Sequence, residues 1–409
     1  MDEPDEAFED VVLDLAGERA GEKDTDSTSP FFVSKKAAAV LKHEILNQYV
    51  VPFVSKVGQW APDKRVVYMD GYAGPGRYED GTPGSPALVL SSATAVAQYR
   101  RLDSFFIEQR RPDYERLSAL VEEANQNGTT ATALHGKVED HLDHVLGQAA
   151  GAPLLAFIDP FGIGLSFESL TQKVFGSRPG RGATGRDATE VLLNFNANAV
   201  RRIGGYLRST KVFPAKEAGL AALDTACGGD WWRHEHQASQ DNREAVRRIA
   251  REFAKRVGNA VGAYSWAIPV HNRAENQPVY YLIFISRHKG AVWLFGEALS
   301  IAQEKWRRAC QPLPAKGTLF GPEYLSNLFE EEEKKREKQW IATIKDNVHQ
   351  LLQKRSSFTV DECHLEVMQG TLGVARQKHI RAAIKELHKE GKTGCAGKGK
   401  IPTLRITSP

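Results

Sequence analysis

Val66-Val67-Tyr68-Met69-Asp70-Gly71-Tyr72-Ala73-Gly74-Pro75-Gly76 is an apolar run closed by a carboxylate and followed at once by Gly-x-Gly. A strand buried on both faces needs near-continuous apolar residues. A turn whose backbone lies close to a ligand needs glycine, because a Cβ would block the approach or the left-handed conformation. The stretch predicts the first strand of a nucleotide-binding α/β domain, Arg65 to Met69, with its loop at the active centre.

Working outward, Ala38, Leu41, Ile45, Tyr49 and Val50 recur at spacings of three and four, which predicts an amphipathic helix before this strand, interrupted near Pro52. After the long glycine- and proline-bearing loop, a helix is expected from Ser85 as N-cap with Pro86 at its first position. Short apolar runs then alternate with helical segments: Ser104 to Ile107 ending at Glu108, Ala131 to Leu134, Leu154 to Ile158 ending at Asp159, and Val191 to Phe195. Such alternation predicts a parallel sheet with right-handed crossovers. Residues 197–262 read as a helical insertion, and Tyr264 to Pro269 with Val279 to Ser286 read as a closing antiparallel pair. The expected fold class is therefore α/β, a class I methyltransferase-like (Rossmann-like) seven-stranded sheet with a helical insertion.

The chain of 409 residues, 41% hydrophobic, is long enough for two or three domains. No apolar run approaches the roughly 20 residues that span a bilayer. The start of the chain is acidic where a secretory signal would be basic, so a cytoplasmic protein with no membrane partner is expected. The four cysteines are scattered, without a CxxC pair, and His141 with His144 lack a third ligand, so no metal site is assigned. Net charge is only +3, but residues 1–29 hold 11 acidic against 2 basic side chains, and residues 340–409 hold 12 basic against 6 acidic. The head reads as a disordered acidic segment and the tail end as a polyanion-binding unit.

Three strand ends carry the chemistry. Asp70, Gly71, Tyr72, Ala73, Gly74 and Gly76 form a carboxylate-plus-glycine loop, but Pro75 and the delayed helix disfavour a pyrophosphate-binding turn. Backbone amides of such a loop suit the methionine part of S-adenosylmethionine. Glu108 can accept both ribose hydroxyl hydrogens of an adenosine moiety, and Val138 and Glu139 stand where an adenine ring is held. Asp159, Pro160 and Phe161 match the Asp/Asn-Pro-aromatic element of amino-group methyltransferases: the carboxylate and the proline carbonyl accept from an exocyclic amine, and the aromatic stacks on the base. Asn194 and Asn196 are lesser candidates for the substrate side, and Trp231-Trp232 either stack a base or fill the core, with core the better reading.

Glu330 to Lys338 reads as a charged helical linker over 330–339. Beyond it, over 340–409, come a helix with Trp340, Ile344, Val348 and Leu351 on one face, a capping box at Thr359 and Glu362, and a third helix burying Ile380, Ala383, Ile384 and Leu387. A glycine-rich wing and a final strand Leu404 to Ile406 complete a winged helix-turn-helix. Lys378, Arg381, Lys385 and Lys392 near one face, with Lys398 and Lys400 in the wing, are the candidate nucleic-acid contacts; a solvated basic face is the alternative.

Tyr68 to Tyr78, Gly84-Ser85-Pro86, Phe106-Ile107-Glu108 and Phe157 to Gly162 together resemble the bacterial three-Cys-motif partner proteins, the TcmP family, from Phe31 onward. That resemblance implies a methyltransferase-like domain over 30–329 joined to a winged helix. It also implies a partner encoded nearby, a three-cysteine-motif protein resembling radical S-adenosylmethionine enzymes. The naming cysteines belong to that partner. The expectation is an S-adenosylmethionine-dependent N-methyltransferase-like protein acting on nucleic acid; the alternative is a non-catalytic adaptor between such a partner and RNA or DNA.

Overall fold

Runs such as Val66 to Met69 and Leu154 to Ile158 can hide every side chain only between two layers of helix, and the chain folds accordingly. The computed structural model describes residues 30–178, 188–210, 214–273, 276–310 and 322–409. The acidic head lies outside the described residues. The chain divides into two units, one holding Val50–His288 and the segment up to Ala38, the other Ala39–Tyr49 and Lys289–Pro409.

Helix α1 (Pro30–Val57) runs unbroken through Pro52 and contributes to both units. In the first unit follow β1 (Arg65–Asp70), α2 (Ser85–Val96), β2 (Arg101–Glu108), α3 (Arg111–Gln126), β3 (Thr130–His135), α4 (Val138–Gln148) and β4 (Leu154–Ile158). A π-helical segment, Ser169–Gly176, leads to β5 (Thr189–Phe195). The insertion comprises α5 (Ala197–Arg208), α6 (Pro214–Cys227), α7 (Trp231–Ala238) and α8 (Asn242–Val261), and β6 (Tyr264–His271) and β7 (Pro278–Ser286) close the sheet.

The sheet has seven strands in the order β3-β2-β1-β4-β5-β7-β6. The pairs among β1 to β5 are parallel, and β7 runs antiparallel to both β5 and β6, which gives a Rossmann-like α/β fold. The order reverses at β1, whose neighbours β2 and β4 leave it on opposite sides. Ligands of open α/β sheets bind in the crevice that such a reversal opens at the carboxyl ends. Register decides what reaches that edge: Asp70 pairs with Phe106, so β2 runs two residues further and carries Glu108 beyond it. Val67, Met69, Ile107, Ala156, Ile158 and Val191 form one face of the core, covered by Val138, Leu142 and Val145 of α4 and by Ile249, Phe253 and Val257 of α8.

The second unit holds α9 (Lys289–Ala309), α10 (Pro322–Lys354), β8 (Ser357–Thr359), α11 (Val360–Val367), α12 (Gln377–Lys389) and β9 (Arg405–Thr407), with β8 and β9 antiparallel. The charge run Glu330 to Lys338 lies inside α10, which continues unbroken to Lys354. Thr359 caps α11 through the capping box that its spacing with Glu362 predicts. Ile380, Ala383, Ile384 and Leu387 are buried against Ile344, Val348 and Phe358 in a core of their own.

Among the described residues no helix is long and apolar enough to cross a membrane. Several boundaries differ from the sequence reading, three of them at the ends of elements that carry candidate residues or the wing. Gly84 rather than Ser85 is the N-cap of α2, so Pro86 sits at its second position; α12 begins at Gln377, after Val374 and Ala375 have turned back on Thr371; and β9 is shifted one residue onward.

Candidate functional site

The loop after β1 is held from three sides. Gly71 N–H donates to the Phe157 carbonyl at 2.9 Å and Ala73 N–H to the Ile107 carbonyl at 2.9 Å, so the chain leaves β1 between its two neighbours. Gly74 N–H donates to Glu108 Oε2 at 2.9 Å, and Arg110 N–H donates to Glu108 Oε1 at 2.6 Å. Both oxygens of this buried carboxylate therefore fix backbone, one in the glycine loop and one at the entrance to α3. Each carboxylate oxygen accepts about two hydrogen bonds, so both keep a lone pair for a ligand hydroxyl.

Gly74 has φ +66° and nothing within 4 Å of where a Cβ would stand, which leaves open space beside the Glu108 carboxylate. Gly76, at φ +81°, is glycine for two reasons, since a Cβ there would also run into Leu120. Pro75 does not lead into a formless loop. Gly84 N–H returns to the Gly76 carbonyl at 2.9 Å and Tyr78 N–H to the Thr82 carbonyl at 2.9 Å, making a small hairpin with Asp80-Gly81 at its tip. An Asp-Gly pair between bonded flanks is a turn signal that the sequence did carry.

Asp70 is fully buried and accepts Tyr72 N–H at Oδ1, 3.1 Å, stiffening the strand exit. Burial pushes the Tyr68 phenol well above its ordinary range, and the charges of Asp70 and then Asp159 push the same way. These two carboxylates, 89 residues apart by number, thus face one hydroxyl that keeps its proton. Val138 is buried, with its Cγ2 3.0 Å from where a Gly71 Cβ would be, so Val138 is a packing residue that requires Gly71 to lack a side chain. Glu139 is exposed, and after burial its charge is what raises the Tyr72 phenol.

At the end of β4, Asn194 Nδ2 donates to Asp159 Oδ1 at 2.7 Å and Asn196 Nδ2 donates to the Phe161 carbonyl at 2.9 Å. Asn196 also caps α5 by accepting Ala199 N–H at 3.0 Å. The two asparagines are braces for the Asp-Pro-Phe segment, a role their position at the end of β5 did not announce. Asn194 Oδ1 remains buried with no hydrogen-bond partner, an orphaned acceptor beside Asp159. Phe161 is 61% exposed, an aromatic face presented to solvent. Asp70, Gly74, Glu108, Asp159 and Asn194 all stand at the carboxyl edge of neighbouring strands.

This edge offers a glycine loop with open space, a strand-end carboxylate with spare acceptor capacity and an orphaned amide oxygen, groups that could take a ligand carrying hydroxyl and amine donors.

Other candidates are drawn elsewhere. Trp232 is fully buried with Nε1 on Asp224 at 2.8 Å, and Trp231 donates to the Cys227 carbonyl at 2.9 Å under the Arg256 guanidinium, so both are core residues of the insertion. His141 bonds the His135 carbonyl at 2.9 Å and His144 packs edge-on to Phe105. A cavity of about 610 Å³ lined by Arg65, Arg101, Asp103 and Thr130 lies at the amino ends of β1 to β3, the edge opposite the site. Asp103 there already holds Arg65 and Arg101.

On α12 and its wing the basic side chains divide. Lys378 pairs with Glu337 at 2.5 Å and Lys392 with Glu390 at 2.9 Å. Arg381 donates to the carbonyls of Gly397 and Gly399 at 2.6 and 2.8 Å, tying the helix to the glycine-rich segment. Lys385, Lys398 and Lys400 are exposed. No protein-family model matches the chain, and no curated protein matches it.

Proposed function

We propose that the first unit is a class I methyltransferase-type domain that binds S-adenosylmethionine and transfers its methyl group to an exocyclic amine of a nucleic-acid base. We further propose that the chain belongs with the three-Cys-motif partner (TcmP) proteins and that β8, α11, α12 and β9 form a winged helix-turn-helix. The observation that carries the reading is the convergence at one sheet edge of the Glu108–Gly74 bond and the Asn194–Asp159 bond. A strand order of β3-β2-β1-β4-β5-β7-β6 supports it.

When bound, the cofactor supplies an electrophilic methyl on a sulfonium. In this reading Glu108 holds ribose hydroxyls with the lone pairs that Gly74 and Arg110 leave, and the open face of Gly74 admits the methionine moiety. Asp159 and the Pro160 carbonyl accept the two amine hydrogens, localising the nitrogen lone pair, while Phe161 stacks on the base. Asn194 keeps the Asp159 carboxylate turned to its task. Positioning supplies most of the rate, because a held nucleophile and electrophile need no strong base.

Calorimetry with S-adenosylmethionine and its demethylated product, on wild type and Glu108→Ala, tests the cofactor site. Binding by the wild type and loss in the variant is the expected result; no binding by either overturns it. Transfer of a labelled methyl to cellular RNA or DNA, with Asp159→Ala as control, then tests the amine site. The second reading is a non-catalytic adaptor that docks a three-cysteine partner and binds nucleic acid through the second unit, where Lys385, Lys398 and Lys400 are exposed. Nucleic-acid binding by the wild type without any cofactor binding would select it.

A further inference from the structure

A half-buried charge with no ion pair among the described residues is costly, so its presence asks for a reason. Arg201, one turn into α5, donates to Asn198 Oδ1 at 2.6 Å and to the Pro278 carbonyl at 2.9 Å, while its Nε is buried with no hydrogen-bond partner. Burial pushes its guanidinium below the ordinary range, and the charge of Arg243 adds to the fall. Arg243, Arg247 and Arg251 recur every four residues on α8, so they share one exposed face opposite buried Val246, Ile249 and Phe253.

Tyr281 locates the meeting point. It pairs in the sheet with Phe195, the last residue of β5, and the charges of Arg247, Arg251 and Arg201 all act on its hydroxyl. Four guanidinium groups thus belong to one cluster, and Glu244, the carboxylate that meets it among the described residues, is paired with Arg247. The cluster begins next to the candidate amine site, because Asn196, the cap of α5, is the residue that holds the Phe161 carbonyl. Four residues of helix advance about 6 Å, comparable with the separation of neighbouring phosphates along a strand. Planar guanidinium groups donate pairs of N–H bonds to phosphate oxygens.

We infer that the face formed by Arg201, Arg243, Arg247 and Arg251 binds the phosphodiester backbone of a nucleic acid and leads it to the cleft at Asp159-Pro160-Phe161. The inference rests on the reading of that cleft as the site of a nucleic-acid base, and it assigns substrate binding to the first unit rather than to α12 alone. Fluorescence anisotropy of the full chain with a labelled single-stranded RNA of about 30 nucleotides, and with its DNA counterpart, measures it across a salt series.

Arg243→Glu with Arg251→Glu is expected to weaken binding by about tenfold or more and to lower the salt slope by about one to two. The matching double Lys variant, which keeps both charges, should stay within about threefold of wild type. Both positions are exposed, and a thermal melt equal to wild type certifies the fold. Unchanged affinity and slope in the double Glu variant, or no binding by wild type, would overturn the inference. Calorimetry with S-adenosylmethionine on the same variant keeps the two readings apart. Patch-dependent RNA or DNA binding without cofactor binding leaves the phosphate surface standing and sinks the methyl-transfer reading; the converse sinks the surface alone.

Discussion

The strand-end cleft of the first unit and the basic helix α12 of the second were both picked out by residue type, and the fold treats them in opposite ways. At the cleft, charged side chains bond to neutral partners: Glu108 to two backbone amides, Asp159 to an asparagine, Asp70 to a backbone amide. Asp70 and Glu108 are buried and Asp159 half-buried, all at the carboxyl edge of the sheet. On α12, Lys378 meets a carboxylate and Arg381 is spent on two carbonyls of its own chain, and Lys392, just past the helix end, meets another carboxylate. A charge held by neutral dipoles signals a function more strongly than a charge held by its opposite, which is mostly a solvated surface pair.

The sharpest break of that contrast is Glu108→Ala. It strips the acceptor from two amides and removes two charge-assisted contacts, so S-adenosylmethionine affinity should fall about 100-fold or more and stability by about 2–5 kcal/mol. Calorimetry and chemical denaturation measure both, and a melt without affinity loss would make Glu108 a loop staple only. Next, Asp159→Ala should cut methyl transfer by about 100-fold while leaving cofactor affinity within about twofold, because the carboxylate faces the amine. A parallel loss of both would merge the two halves of the cleft into one.

In the second unit, Glu297 on α9 accepts the Gln377 N–H at the start of α12 at 2.8 Å. Burial raises its carboxyl from 4.5 to about 7, against the smaller opposing pulls of that amide and of Arg376. The folded state therefore binds the extra proton between those two values, so stability falls as pH rises through that window and is level above it. Glu297→Gln should flatten the slope, a change of order 2–3 kcal/mol at pH 8, read from denaturation of the full chain at pH 5 and pH 8. An unaltered slope would return Glu297 to the ordinary carboxylate class. Smallest of all, Lys378→Met should change stability by less than about 0.5 kcal/mol, whereas Arg381→Met should cost about 1–2 kcal/mol by freeing two carbonyls. Equal effects would erase the distinction between paired and structural cations on α12.

Much of the first unit was legible because its signals are local. Apolar runs of five or six residues name the buried strands, a carboxylate at a strand end names the edge, and glycine names the left-handed turn. The same logic gave the capping box at Thr359 and the core face of α12. What escaped depends on partners distant in sequence. Nothing near Gly74 says that its amide will be taken by a residue 34 positions on, or that Asn194 will hold an aspartate 35 positions back. The arginine face stayed hidden for a similar reason: Arg201 and Arg251 are ordinary helix residues until α5 and α8 are brought together around Tyr281. The charge run at 330–338 is ambiguous by itself, since a solvated linker and the outer face of a long helix have the same composition, and only the continuity of α10 decides.

The hairpin between Gly76 and Gly84 gives the molecule a surface on which change is cheap. Because Gly84 is bonded back to Gly76, both the glycine loop before it and the first turn of α2 after it are anchored independently of what lies between. Residues added at Asp80-Gly81 would meet only the slow logarithmic cost of a longer closed loop, about 0.6 kcal/mol per doubling. That tip is a natural port for a spectroscopic label or an inserted domain, a few residues in sequence from the glycine loop yet mechanically insulated from it.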